Sequence, residues 1–265
     1  MKKLAPATVT TYKAALARPL KLAFNVDVSD APFGDFVKGL YNIRPSKPLG
    51  NIQWSLDRAL SLLLSNRFQQ NPSVIDSFYM SVFLLALATG NRVSEIHALL
   101  REDQFLEFSS SGVLLSPNPN FLAKNESPSN RRSPIFIPRL SNEDGSPHPL
   151  CPVNSLSVYL SLTARTRSFK LFVDPRDLSD LSIHKLRLYL CKFIRISNPG
   201  SFPKTHDLRK LATSYAFFNH MSSNELCDVV GWSSIRVFYK HYLKRISELS
   251  SSVVMLGKIL PSNFV

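Results

Sequence analysis

Lys204–Lys244 reads KTHDLRKLATSYAFFNHMSSNELCDVVGWSSIRVFYKHYLK, and its punctuation predicts three short helices. Thr205 stands where a cap is needed for a helix carrying His206 and Arg209. Ser222 and Glu225 have the Ser-x-x-Glu spacing of a capping box, and Gly231 suits the left-handed residue that ends such a helix. Ser233 is placed to cap the third helix, which holds Tyr239 and Tyr242. His206 and Arg209 are three residues apart, so both leave one face of their helix. A titratable imidazole beside a guanidinium fork suits an anion such as a phosphate.

The composition agrees with an anionic partner. The chain has 265 residues, 44% of them hydrophobic, enough for one or two packed domains. Its net charge is +13, from 32 Lys and Arg against 19 Asp and Glu, and the basic residues are spread along the chain. With a pI near 9.8, a folded basic surface for a polyanion is a better reading than ordinary solubility charge. Cys151, Cys191 and Cys227 lack metal-ligand spacing and read as reduced, mostly buried thiols of an intracellular protein. The start, MKKLAPATVT, lacks the apolar core of a signal peptide, and Phe78–Ala88 is too short to span a bilayer.

Upstream, Val9, Tyr12 and Leu16 predict a helix broken at Pro19-Leu20, and Phe33, Phe36, Val37 and Leu40 a second. Residues 43–52, with two prolines and a glycine, read as a linker between an N-terminal region, 1–42, and a main domain, 53–265. Gln53–Asn66 reads as a helix with Leu56, Leu60, Leu63 and Leu64 on one side. Ser73 and Asp76 are set to cap a mostly buried helix that stops at Gly90, and the next begins at Arg92. Taken alone, Arg92 and Glu95 are a plain helical ion pair of small weight. Gly112–Ala123 and Pro134–Pro138 predict a two-stranded hairpin with Lys124 at the end of its first strand. Taken alone, Lys124 is a solvated loop lysine. Pro152 opens a helix through Leu162, with Cys151 as core; Leu171–Val173 reads as a short strand. Ile183–Ile194 is an amphipathic helix whose Lys185, Arg187 and Lys192 either track a nucleic-acid backbone or solvate the helix. His97, His148, His184 and His220 have no ligand spacing.

In this order, several phrases resemble the tyrosine recombinases, above all those of DIRS-like and Crypton-like mobile elements. They are Ala88–Glu95 (ATGNRVSE), the Leu150–Val153 phrase LCPV, the His206-x-x-Arg209 pair, Gly231-Trp232-Ser233-Ser234, and Tyr242 ten residues after Trp232. The fold implied is mainly α with a small antiparallel β-sheet, preceded by a shortened helical core-binding-like region at 1–42. The implied catalytic set is Arg92, Lys124, His206, Arg209, Trp232 and Tyr242, with Glu95 bracing it.

The implied reaction is cleavage and rejoining of double-stranded DNA through a 3′-phosphotyrosine, without metal or cofactor, by a homo-oligomer, a tetramer on DNA. The location implied is intracellular, and nuclear in a eukaryote. Arg131, Arg132, Lys204 and Lys210 are expected to contact the DNA backbone. Helical spacing alone leaves Tyr239 and Tyr242 both eligible as nucleophile; the resemblance selects Tyr242. The tail after Tyr242, with Leu243, Ile246, Leu249 and Val253 at helical spacing, packs either on its own domain or on a neighbouring protomer. Two other readings stay open: a relative that binds DNA without cutting it, and a type IB topoisomerase, against which the Gly-Trp-Ser-Ser phrase argues.

Overall fold

The computed structural model describes residues 4–45, 52–124, 126–232 and 234–243. Most of the expected linker, the Ser233 cap and the tail beyond Leu243 lie outside these residues. The chain divides into two compact units, 1–51 and 52–265.

The first unit holds two helices, α1 (Pro6–Phe24) and α2 (Ala31–Ile43). Contrary to expectation, α1 continues through Pro19 and ends in left-handed Asn25. Proline removes one backbone bond from a helix. The apolar row Val9, Tyr12, Leu16, Leu20 nevertheless continues past it and faces Phe33, Phe36 and Val37 of α2 across an apolar groove.

The second unit is built on α5 (Val74–Thr89). Ser73 Oγ accepts from the Asp76 N–H at 3.2 Å and starts it; left-handed Gly90, φ 60°, stops it. The helix is apolar on all sides, the pattern of a fully enclosed helix, and it is buried nearly throughout. Phe78 packs on Tyr189 at 5.3 Å and Phe83 on Phe193 at 4.9 Å, both edge-on. Truncating either phenylalanine to alanine should cost about 3–5 kcal/mol.

Around α5 lie α3 (Leu56–Leu63), α4 (Asn66–Gln69), α6 (Val93–Ala98), α7 (Pro152–Leu162), α8 (Ile183–Ser197) and α9 (Thr205–Phe218); α10 (Ser223–Val230) and α11 (Arg236–His241) follow. α3 is shorter than expected: Ser55 caps it, and Leu64, beyond its end, is exposed. Leu226, Val230, Trp232 and Phe238 form a small second core, against which Phe217, Tyr242 and Leu243 pack.

The sheet has three antiparallel strands, not two, in the order β1 (Leu106–Phe108), β2 (Gly112–Leu115), β3 (Ile135–Pro138). Leu106 faces Leu115 and Val113 faces Ile137, and all four are buried. A Cβ on Gly112 would sit 2.2 Å from the Ile137 carbonyl oxygen, so only glycine allows that approach. β2 ends at Leu115 because Pro117 and Pro119 have no N–H for a ladder. Asn118 turns inward instead and donates to the Ala98 carbonyl at 2.9 Å. Lys124 is therefore in a turn of the long β2–β3 connection, not at a strand end.

Leu171–Val173 is buried but is no strand of the sheet. The Leu99 carbonyl accepts from Leu171 N–H at 2.9 Å, Arg101 donates to the Leu171 carbonyl at 3.2 Å, and the Tyr159 hydroxyl accepts from Val173 N–H at 2.9 Å.

Candidate active site

α9 supplies the guanidinium around which the site is assembled. Its first residue is Thr205, not the cap: the Asp207 carboxylate accepts from the Lys204 N–H at 2.9 Å and takes that role. One turn in, Arg209 is buried. Its Nη1 donates to the Gly90 carbonyl at 2.7 Å and its Nη2 to the Val230 carbonyl at 2.8 Å. One side chain thus ties the C-terminal ends of α5 and α10 together. The Ser222–Glu225 capping box and left-handed Gly231 that bound α10 are both present.

Glu95 is the charge centre of the site. It accepts from the Arg92 guanidinium at 2.6 Å and from the Arg92 N–H at 2.7 Å. Arg132 reaches the same carboxylate at 2.7 Å and Arg209 at 3.6 Å. Burial opposes its ionisation, but Arg132, the Arg92 N–H, Arg209 and the Arg92 side chain outweigh that and hold its pKa below the usual carboxylate value. Arg132 also pairs with Glu126 at 2.9 Å and donates to Asn91 Oδ1 at 3.1 Å. Burial opposes ionisation of Glu126 as well, and the Ala123 N–H and Arg132 overcome it. Three arginines share two carboxylates, which leaves one positive charge in excess. Burial first, and the neighbouring Arg92 next, lower the Arg209 pKa, yet leave it a cation at neutral pH.

Two aromatic rings close over Arg209. Its guanidinium lies 5.2 Å from the Trp232 ring and 5.6 Å from the Tyr242 ring, and the rings are 4.7 Å apart. The Arg209 Nε–H and the Trp232 indole N–H are buried and have no hydrogen-bond partner among the described residues. Buried donors without partners are rare and costly, so two in one spot call for an acceptor.

The two tyrosines separate here. α11 ends at His241 and Tyr242 follows as its cap residue, its carbonyl accepting from Ser214 Oγ at 3.2 Å. Tyr239 is half exposed and packs on Phe217 at 5.8 Å. They differ in neighbours: Tyr242 packs on Trp232 at 4.7 Å and Tyr239 on Phe217 and Phe238.

His206 lies at the exposed edge of α9. Partial desolvation, then Lys210, Arg209, Arg92 and Arg187, lower its pKa below the ordinary histidine value, so the ring is neutral at pH 7. Lys124 and Lys204 are exposed, whereas Lys210 is mostly covered and lies 3.7 Å from Asp207. Lys185 is held by Asp174 at 2.8 Å, which accounts for it without DNA.

Arg131 and Arg132, expected to contact the DNA backbone, both have partners within the protein. Arg131 donates to the carbonyls of Asn118, Pro119 and Phe121 and laces the connection, while Arg132 points into the carboxylate cluster. Glu126, Asn91 and the inward role of Arg132 had no signal in the sequence, because ion pairs across a loop follow no fixed spacing. Among the described residues no group of His, Cys, Asp and Glu could hold a metal ion, and no helix is long and apolar enough to cross a membrane.

Comparison with solved structures gives the class of fold. The chain is similar to XerA recombinase (15% identity, 98% of this chain and 86% of that one, TM-score 0.53). It is similar to the Tn1549 transposon integrase in complex with transposon right end DNA (16%, 97% and 80%, 0.60). It is also similar to a lambda integrase dimer bound to a COC′ core site (15%, 93% and 62%, 0.55). No protein-family model matches the chain, and no curated protein sequence does. The chain has the fold of the tyrosine-recombinase catalytic domain, helix-rich with a small antiparallel sheet.

Proposed function

We propose that this protein is a site-specific DNA recombinase or integrase of the tyrosine type, from the DIRS-like or Crypton-like branch of mobile elements. The observation that carries the reading is the pair of orphan donors, Arg209 Nε–H and Trp232 Nε1–H, beside the Tyr242 ring in a cluster with one excess positive charge. A phosphodiester supplies both the missing acceptors and the missing negative charge.

In the reaction, the Tyr242 oxygen attacks phosphorus and the bond from phosphorus to the 5′-oxygen breaks. The products are a 3′-phosphotyrosine and a 5′-hydroxyl, and reversal of the step rejoins the strand. His206, neutral at pH 7, takes the tyrosine proton. Lys124 gives a proton to the leaving 5′-oxygen. Arg92 and Arg209 hold the non-bridging oxygens, Arg209 through the edge that bears its unpartnered Nε–H. Glu95 keeps both guanidiniums in place. The neighbours' printed descriptions, a recombinase and two DNA-bound integrases, support this reading, as does the dimer formed by lambda integrase. The working form proposed is a homo-oligomer, a tetramer on DNA, acting in the nucleus if the host is a eukaryote.

A second reading is a relative that binds DNA without cutting it. It is favoured by the enclosure of Arg209, only 2% exposed, with Nη1 and Nη2 on carbonyls. One experiment separates the two. The protein is incubated with nicked duplexes of randomised sequence in EDTA and run on a denaturing gel. A covalent adduct that Tyr242→Phe removes is expected. Binding with no adduct selects the second reading, and cleavage strictly dependent on magnesium rejects the mechanism.

A further inference from the structure

We propose that Arg132 and Glu126 are positioning residues for Lys124, an inference that rests on the recombinase reading. The connection from β2 to β3 carries Lys124, exposed and in a turn, but no strand of its own, so something other than a ladder must fix the segment that bears it. Glu126 does this locally. Its Oε2 accepts from the Ala123 N–H at 3.0 Å, and its own N–H donates to the Ala123 carbonyl at 2.9 Å, closing a ring of bonds around Lys124. Ser127 and Asn130 then bridge and turn the chain back toward Arg132.

Arg132 fastens this ring to the site. Its Nε donates to Glu126 Oε1 at 2.9 Å, its Nη2 reaches Glu95 Oε1 at 2.7 Å, and its Nη1 donates to Asn91 Oδ1 at 3.1 Å. Each guanidinium nitrogen is committed, and only 15% of the side chain is exposed. A residue so engaged is a brace, not a surface contact for a phosphate. It links the segment bearing the acid to the carboxylate that orients Arg92 and Arg209. Lysine could not replace it, because a point charge cannot satisfy three partners in a plane. Arg132 also abuts the turn before Trp232: a Cβ on Gly231 would lie 3.2 Å from its Cδ. Glu126 is therefore the cleaner place to cut the link, since its removal leaves Arg132 on Glu95.

The test uses the chemistry of the leaving group. An alkoxide needs a proton to leave; a thiolate, with a thiol pKa of about 8.5, does not. Adduct formation is timed on ordinary nicked DNA and on DNA whose bridging 5′-oxygen at the scissile phosphate is sulfur. Glu126→Gln and Arg132→Gln should each slow the reaction on ordinary DNA by about 100-fold, the scale of a misplaced catalytic group. Both should return to near the parent's rate on the sulfur substrate, as Lys124→Ala should. Arg209→Lys should be slow on both. Adding Glu126→Gln to Lys124→Ala should slow the reaction no further.

Variants that stay slow on sulfur, or that are not slowed on oxygen, overturn the positioning role. If Arg132→Gln melts too low to assay, Glu126→Gln decides. A parent protein that forms no adduct on either substrate removes the recombinase reading and this inference with it.

Discussion

Glu95→Gln is the substitution to which this site should respond most strongly. The carboxylate is 6% exposed and faces guanidiniums at 2.6, 2.7 and 3.6 Å. At an effective dielectric constant of about 20, each of the two close pairs is worth roughly 6 kcal/mol of attraction. Several kcal/mol per ion of lost hydration opposes this. Glutamine keeps the shape but leaves three mostly buried guanidiniums with Glu126, on Arg132, as their remaining carboxylate, and breaking such a cluster costs about 3–5 kcal/mol. In a domain of this size that corresponds to a fall in Tm of about 6–20 °C.

The pH dependence gives an independent check. The Glu95 pKa is lowered in the folded state, so its contribution is fully present above its ordinary value of 4.5 and is lost as pH falls through the lower folded value. The gap in unfolding free energy between parent and variant should therefore narrow below that pH. Thermal and urea unfolding followed by circular dichroism, between about pH 7 and about pH 3, would measure both quantities. A Tm change under about 2 °C, or a gap that does not narrow on acidification, refutes the assignment of Glu95 as the charge centre.

Other outcomes follow from the same geometry. Tyr242→Phe should abolish the covalent adduct while Tyr239→Phe, at a half-exposed residue, should leave it; peptide mapping of the DNA-linked residue decides. Arg92→Lys and Arg209→Lys should each lose most cleavage yet keep most DNA binding, because a guanidinium contact is lost from the transition state while ground-state binding is shared. Cleavage by either variant at the parent's rate would remove that arginine from the mechanism. Duplex affinity should fall steeply with salt, since the +13 charge implies counterion release, and a log–log slope near zero would contradict it.

The chain's local grammar was legible without coordinates. Ser73 with Asp76, the Ser222–Glu225 box, Gly90 and Gly231 stand where the sequence puts them, because a cap involves groups within one helical turn. The mainly helical class with a small antiparallel sheet came instead from the resemblance of the motifs to the tyrosine recombinases, and the fold agrees with it. The structure departs from the local readings at Pro19, which α1 accommodates, at Leu115, where Pro117 and Pro119 end the strand, and at Leu171–Val173, whose N–H and C=O groups are taken by the distant Leu99, Arg101 and Tyr159.

The sequence by itself therefore determined the helix punctuation at Ser73, Gly90, Ser222 and Gly231 and a strongly basic chain, and its resemblance to the tyrosine recombinases nominated Arg92, Lys124, His206, Arg209, Trp232 and Tyr242. Only the tertiary structure decided which cations converge on Glu95, that Arg132 turns inward while Arg131 laces a loop, and that Tyr242 rather than Tyr239 stacks on Trp232. The physical reason is range. Helix caps and amphipathic faces arise from neighbours a few residues apart, whereas Arg209 meets the Gly90 carbonyl across 119 residues, a distance on which no spacing rule acts.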